Sequence, residues 1–264
     1  MTTRLRPAAA ATLGLALGLV LAGCSPATTA DTRPPGAPEP AGEPGTVTVL
    51  AAASLTEPLT ALADRYERDH PGVTVRLSFG SSTTLAQQIA EGAPADVYAS
   101  AGEAALDLLP PDAARDGGRA TIARNTMEIA TPPDDPGSVT DLADLADPDL
   151  DVVLCAASVP CGRAADEVLA TAGVTAHVVS REVDVRATLT KVALGEADAA
   201  IVYHSDVVGA GPSVRGVPIP RADEVTLDYP LLWFSTDPDV EGFARYVAGP
   251  EGTAALTAAG FLAP

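Results

Sequence analysis

Two stretches of this chain place hydroxyl groups directly after an apolar run and directly before an amphipathic helical pattern. The first is Val47-Thr48-Val49-Leu50-Ala51-Ala52-Ala53-Ser54. The second is Val73-Thr74-Val75-Arg76-Leu77-Ser78-Phe79-Gly80-Ser81-Ser82. A helix start leaves its first four backbone N–H groups without intrahelical partners. Hydroxyls placed there add further donors, so each stretch is a ready anion site. Two such sites within Thr46–Ser100 can face one ligand, and the chemistry they suggest is capture of an oxyanion by hydrogen-bond donors.

The same strand-to-helix position holds Pro160-Cys161-Gly162 and Asp184-Val185, and Tyr203 closes a strand as a further donor. Ser, Thr and Asp cap helices of every kind, so one such site carries little weight. The run Ser81-Ser82-Thr83-Thr84 exceeds what a single cap needs. Ligands of open α/β folds sit beyond the carboxyl ends of strands, where all of these residues fall. Signatures of catalysis are missing. Ser81 and Ser82 stand outside a G-x-S-x-G elbow, and the chain has neither a G-x-x-x-x-G-K-[ST] loop nor a G-x-G-x-x-G after a strand. His204 lacks an identifiable nucleophile.

The elements that must hold these groups alternate. Strands are expected at Val47–Ala51, Val73–Ser78, Asp96–Ser100, Asn125–Thr131, Val152–Ala156, Val178–Val179 and Ala199–Tyr203. Val217–Pro220 and Leu231–Ser235 are read as extended. Helices are expected at Glu57–Asp69, Thr84–Glu91, Glu103–Leu109, Ser138–Ala146, Arg163–Ala172, Val185–Leu194, Val240–Val247 and Glu251–Ala259. In the first helix Leu55, Leu59, Leu62 and Tyr66 share one face, and His70-Pro71-Gly72 stops it. Strands alternating with helices of this length imply α/β layers on a parallel sheet core.

The amino-terminal end reads as a sorting signal. Arg4 and Arg6 precede an apolar run, Ala8–Leu21, that is too short for a good membrane span, and Leu21-Ala22-Gly23-Cys24 follows. This order resembles the lipobox of bacterial lipoproteins, which implies cleavage before Cys24 and lipid attachment to its thiol. Ser25–Gly45, rich in Pro, Ala, Thr and Gly, has no apolar periodicity and reads as a tether.

The formal charge is −19, or −21 once Arg4 and Arg6 are removed. No basic patch is available to neutralise phosphates, so nucleic acid is not an expected partner. An acidic surface does not exclude an anion ligand, because exposed charges are screened within about 10 Å at 0.1 M salt. With Cys24 assigned to lipid, Cys155 and Cys161 remain as an even pair in an oxidising compartment, either bridged or as free thiols. His70, His177 and His204 are scattered without ligand spacing, so no structural metal and no cofactor are expected.

The chain resembles the molybdate-binding proteins of ABC importers. The resemblance rests on Ala51-Ala52-Ala53-Ser54-Leu55-Thr56, on Ser78 through Ile89, and on Gly92-Ala93-Pro94-Ala95-Asp96-Val97. It continues in Val159-Pro160-Cys161-Gly162, Asp184-Val185-Arg186 and Ala200 through Asp206, and ends with Tyr229-Pro230 and Gly249-Pro250. It implies the type II periplasmic-binding-protein fold, with two α/β lobes joined by two hinge crossings. The implied organisation is a signal peptide (1–23), a lipid-anchored linker (24–45), one lobe from 46–125 plus 226–264 and a second from 126–225. Hinges are expected near Asn125–Thr131 and Ile219–Tyr229.

The family's ligand positions fall on Ser54, Ser82, Cys161, Val185 and Tyr203. Ser54, Ser82 and Tyr203 would donate hydroxyls, while Cys161 and Val185 would donate backbone N–H. Better-known relatives have alanine at the place of Cys161, a change that a backbone donor tolerates. Molybdate is a proton-free tetrahedral dianion and needs donors only, and the five positions hold no Lys, Arg, Asp or Glu. The resemblance thus implies a monomeric lipid-anchored receptor outside the cytoplasm. It would bind molybdate or tungstate, with molybdenum present only within the oxyanion, and deliver it to an ABC permease. The alternatives are a sulfate or other oxyanion receptor, a secreted serine hydrolase using Ser54 or Ser82, and a structural envelope lipoprotein. Ser82→Ala is expected to weaken binding with little loss of ligand-free stability.

Overall fold

The computed structural model describes residues 45–221 and 224–264. The signal peptide, the lipidation site at Cys24 and all of the tether but its last residue lie outside the described residues. Among the described residues no helix is long and apolar enough to cross a membrane.

The chain first builds β1 (Thr46–Ala52), α1 (Thr56–Asp69), β2 (Thr74–Gly80), α2 (Ser82–Ala90), β3 (Val97–Ala99) and β4 (Gly118–Asn125). A second set follows: β5 (Met127–Thr131), β6 (Val152–Cys155), α3 (Pro160–Ala172), β7 (Val178–Glu182), α4 (Val185–Ala193), β8 (Ala199–Tyr203), α5 (His204–Ala210) and β9 (Arg215–Pro218). The chain then returns through β10 (Leu227–Trp233) and ends in α6 (Pro238–Ala248) and α7 (Pro250–Ala258).

These strands form two five-stranded sheets of the same design. The first runs β2-β1-β3-β10-β4, and the second β7-β6-β8-β5-β9. In each, three strands are parallel and the last two are joined antiparallel. Each sheet and its helices make one α/β lobe. The chain passes between sheets twice: at Thr126, between β4 and β5, and between β9 and β10.

Burial explains why the strands read as near-continuous apolar runs. Helices cover both faces of a parallel core, so β8 is buried at all five positions and β6 at all four. In β1, Val47, Val49 and Ala51 enter the main core, while Leu50 joins Leu85, Tyr98 and Leu232 on the other face. Helix α1 buries Leu59, Leu62, Ala63 and Tyr66 at helical spacing, each apolar side chain worth about 1.5–3 kcal/mol when fully buried. Its end is held by His70, whose ring stacks on Tyr66 with centroids 3.9 Å apart.

Four elements differ from the sequence reading. Glu103–Leu109 contains only a 3-10 turn at Leu106–Leu108, and the helix expected at Ser138–Ala146 is a 3-10 segment over Leu142–Ala146. There Asp141 accepts from Ala143 N–H, and Asp144 accepts from Thr140 and Asp141. Strand β4 and helix α5 were not anticipated. The first is an edge strand with exposed Arg119 and Arg124, which break the alternation, and the second starts on the last strand residue without a loop to announce it.

Candidate functional site

Ser54, Ser82, Cys161, Val185 and Tyr203 come from five separate segments, and the structure brings all five to the wall of one cavity between the lobes. All five are buried. The cavity is about 20 Å3. That is room for one compact ion or a water or two, far below the ~300 Å3 or more of organic-ligand pockets.

Three α-helices begin at this wall. Ser82 is the first residue of α2, Cys161 the second of α3 and Val185 the first of α4. Ser54 lies in the 3-10 turn Ala53–Leu55 that joins β1 to α1. The helical ladders start behind the cavity-facing amides. In α3 the bond from Arg163 N–H reaches Val159 C=O, so Cys161 N–H precedes the ladder. In α4 the Asp184 carboxylate takes Ala187 N–H at 2.9 Å, and Thr188 N–H bonds to the Asp184 carbonyl, so Val185 N–H likewise stands ahead. The helix dipoles add positive potential at these ends.

The start of α3 is held against the end of β6. Pro160 fills the first helical turn, where its missing N–H costs nothing. A Cβ on Gly162 would sit 2.0 Å from the Ala156 carbonyl oxygen, so only glycine permits this approach. Cys155 and Cys161 are joined by a disulfide with Cα atoms 5.8 Å apart.

The hydroxyls divide into two kinds. Ser82 Oγ accepts from Ala101 N–H at 2.9 Å, and Ser54 Oγ lies 3.0 Å from the Tyr229 hydroxyl. By contrast, Ser81 Oγ and Tyr203 Oη are buried and have no hydrogen-bond partner among the described residues. Buried hydroxyls normally pair, and two orphans on one small cavity call for an acceptor inside it. Burial first, then the neighbouring Tyr229 and Asp206, pushes the Tyr203 phenol well above its ordinary pKa, so it keeps the proton it would donate. The Asp206 carboxylate accepts from Tyr203 N–H at 3.0 Å and fixes the turn from β8 into α5. Burial pushes Asp206 up to about 7.

No Lys or Arg is among the described residues lining the cavity, and the carboxylate there is that of Asp184. The five positions expected to bind the ligand hold no carboxylate, but the wall does. Asp184 was expected as a cap, and its Oδ1 is committed to that task. Among the described residues none of the cavity serines Ser54, Ser81 and Ser82 is bonded to a histidine. His204 Nδ1 pairs instead with Glu128 at 2.6 Å. Across the cleft, Arg186 of α4 pairs with Glu57 of α1, and Thr83 Oγ1 donates to the Ser158 carbonyl at 3.1 Å.

Sequence reasoning gave no part in the site to Tyr229, which stands directly behind Ser54, or to Asn125, which stands behind Tyr229. Tyr229-Pro230 was visible as a motif, but nothing in its own neighbourhood says which residue its hydroxyl meets. Ser81 was seen within the hydroxyl run without being set apart from its neighbours.

Comparison with known proteins agrees with this geometry. Residues 47–262 match the family described as bacterial extracellular solute-binding protein. The molybdate-binding protein ModA of Mycobacterium tuberculosis is 35% identical over 221 residues, covering 83% of this chain and 85% of that protein. Among solved structures, the Azotobacter vinelandii periplasmic molybdate-binding protein superposes with a TM-score of 0.72 at 24% identity. That match covers 83% of this chain and 99% of the other. The sulfate-binding protein SubI of M. tuberculosis gives 0.69 at 18% identity, covering 82% and 86%. These likenesses establish the two-lobed α/β fold expected from the sequence.

Proposed function

The chain belongs to the bacterial extracellular solute-binding protein family and, within it, groups with the molybdate-binding proteins of ABC importers; from that premise we propose that it captures molybdate in the interlobe cavity. Its role is that of an oxyanion receptor. The observation that carries the choice of ligand is the cavity itself. Three helix N-termini and four serine and tyrosine hydroxyls, two of them unpartnered, surround space for a single small ion. A proton-free dianion satisfies every one of these donors. Each hydrogen bond to a charged group contributes about 1.5–3 kcal/mol, enough in sum to hold the ion without a lysine or arginine.

In this reading Ser54, Ser82 and Tyr203 donate hydroxyl protons, and Cys161 and Val185 donate backbone N–H. Tungstate, nearly the same size and charge, binds in the same way. One lobe comprises 46–125 with 226–264, the other 126–225, and the two close over the ion. Lipid on Cys24 tethers the monomeric receptor to the membrane, and an ABC permease receives the ion from it. No cofactor takes part.

Sulfate is the second reading, favoured by the fold shared with a sulfate-binding protein. Thermal melting of the folded part with molybdate, tungstate, sulfate and phosphate separates them. A ligand at a thousand-fold excess over its Kd stabilises by about 4 kcal/mol. The expected result is a large shift with molybdate and tungstate. A larger shift with sulfate selects the second reading, and no shift with molybdate or tungstate removes the first.

A further inference from the structure

A buried polar chain runs from the first interlobe crossing to the cavity. Asn125 ends β4 and is fully buried. Its Oδ1 accepts from Thr126 N–H at 3.0 Å, which fixes the amide so that Nδ2 faces the other way. Nδ2 donates to Ser205 Oγ at 2.8 Å and reaches the Tyr229 hydroxyl at 3.4 Å. The Tyr229 hydroxyl in turn meets Ser54 Oγ at 3.0 Å. Ser205 belongs to α5, so the amide that starts the chain is itself held by a residue of the opposite lobe.

The polarity of this chain follows from its first member. An amide Nδ2 can only donate, so the Tyr229 oxygen accepts from it. The phenol has one proton, which burial keeps in place by raising its pKa. With Asn125 unable to accept on that side, the geometry lets the phenol give this proton to Ser54 Oγ, 3.0 Å away. Ser54 then accepts from behind, and its own proton is left for the cavity. Ser82 is set in the same sense by a backbone donor, Ala101 N–H.

We propose that Tyr229 and Asn125 are positioning residues that commit the Ser54 hydroxyl to donate into the cavity. At Ser54 the site thereby offers an oxyanion a proton donor and not an acceptor. This inference rests on the oxyanion reading of the cavity. It also gives the Tyr229-Pro230 motif a task. The Tyr229 ring packs edge-on against Tyr203 and Phe261, with centroids 6.1 and 5.1 Å apart. Phenylalanine can keep those contacts and remove only the hydroxyl.

The test is a double-mutant cycle by calorimetric titration with molybdate, using wild type, Tyr229→Phe, Ser54→Ala and the double variant. Tyr229→Phe alone is expected to weaken binding about tenfold. In the Ser54→Ala background the same change is expected to cost less than about twofold, because Tyr229 then has nothing to orient. Competition with phosphate at neutral pH adds a second readout. The preference for molybdate over hydrogen phosphate narrows about tenfold in Tyr229→Phe, since a released Ser54 Oγ can accept the phosphate proton. Losses that multiply in the double variant, or a preference that does not change, overturn the positioning role. Should Tyr229→Phe fail to fold, Asn125→Ala enters the cycle in its place with the same expected coupling to Ser54→Ala. A wild-type protein that binds no tetrahedral dianion overturns the oxyanion reading and the inference together. Binding by wild type with multiplying losses overturns the inference alone.

Discussion

Ser82 and Ala101 are joined by a hydrogen bond in which the backbone N–H of Ala101 donates to Ser82 Oγ at 2.9 Å. This places two demands on one oxygen: it accepts from the first lobe's own loop while its own proton is left for the cavity. Ser82→Ala therefore removes a donor and also strands a buried N–H. The expected loss of molybdate affinity is roughly 10- to 100-fold, the value of one hydrogen bond to a charged group. The ligand-free protein is expected to lose about 1–3 kcal/mol as well. That is more than the sequence alone suggested, because the Ala101 contact spans 19 positions and leaves no local trace. Titration and ligand-free melting of the same variant check both figures.

Ser81 makes a contrasting case. Its hydroxyl is buried against the same cavity but has no partner among the described residues. Ser81→Ala removes a donor without stranding anything behind it. The ligand-free melting temperature is expected to hold or rise, and molybdate affinity to fall about tenfold. Unchanged affinity takes Ser81 out of the site.

Local patterns made the strand-to-helix junctions legible. Ser54, Ser82, Cys161 and Val185 each follow an apolar run and precede a helical one, and that is enough to place them at helix starts. Their convergence depends on which strands pair, and the return of β10 into the first sheet comes from beyond the whole second sheet. Asn125 illustrates the limit. In sequence it is a polar residue at the edge of a weak strand pattern. Its role comes from Ser205 and Tyr229, 80 and 104 positions away. Helix α5 went unseen for a related reason: the Asp206 bond that fixes its start is buried and begins on a strand residue.

The Cys155–Cys161 bridge closes a short loop at the start of α3. Its reduction is expected to lower stability by roughly 2 kcal/mol, as the chain-entropy model gives for so short a loop. Molybdate affinity is expected to fall less than about tenfold. The close approach of Gly162 to Ala156 and the bond from Arg163 N–H to Val159 still hold Cys161 N–H in place. Melting and titration with and without a phosphine reductant test this. A larger loss of affinity assigns the positioning of that amide to the bridge rather than to packing.

Glu57 and Arg186 pair across the cleft, each about half exposed. Exposed pairs contribute about 0–1 kcal/mol and weaken with salt. Arg186→Ala is expected to weaken molybdate binding by no more than about fivefold, through faster dissociation. Stopped-flow release at low and high salt is the measurement. Wild type and variant should converge at high salt, and a difference that salt does not reduce rules out a screened ion pair as the cause.

Asp206 gives the protein a pH dependence whose sign is fixed by burial. Its carboxyl is pushed from 3.8 up to about 7 chiefly by desolvation, with Glu57 and Asp184 adding to the rise. The bond from Tyr203 N–H and the charge of Arg186 oppose it. Between about pH 4 and 7 the folded state therefore holds a proton that the unfolded chain has released. Stability contributed by this group is present at the acid end of that window and is lost as pH rises through 7. Asp206→Asn keeps an oxygen that can accept from Tyr203 N–H but carries no titrating charge. The variant is expected to gain on wild type as pH rises from 5 to 8, with up to one proton less in the slope of stability against pH. Parallel melting profiles for the two proteins across that range rule out the assignment of this proton to Asp206.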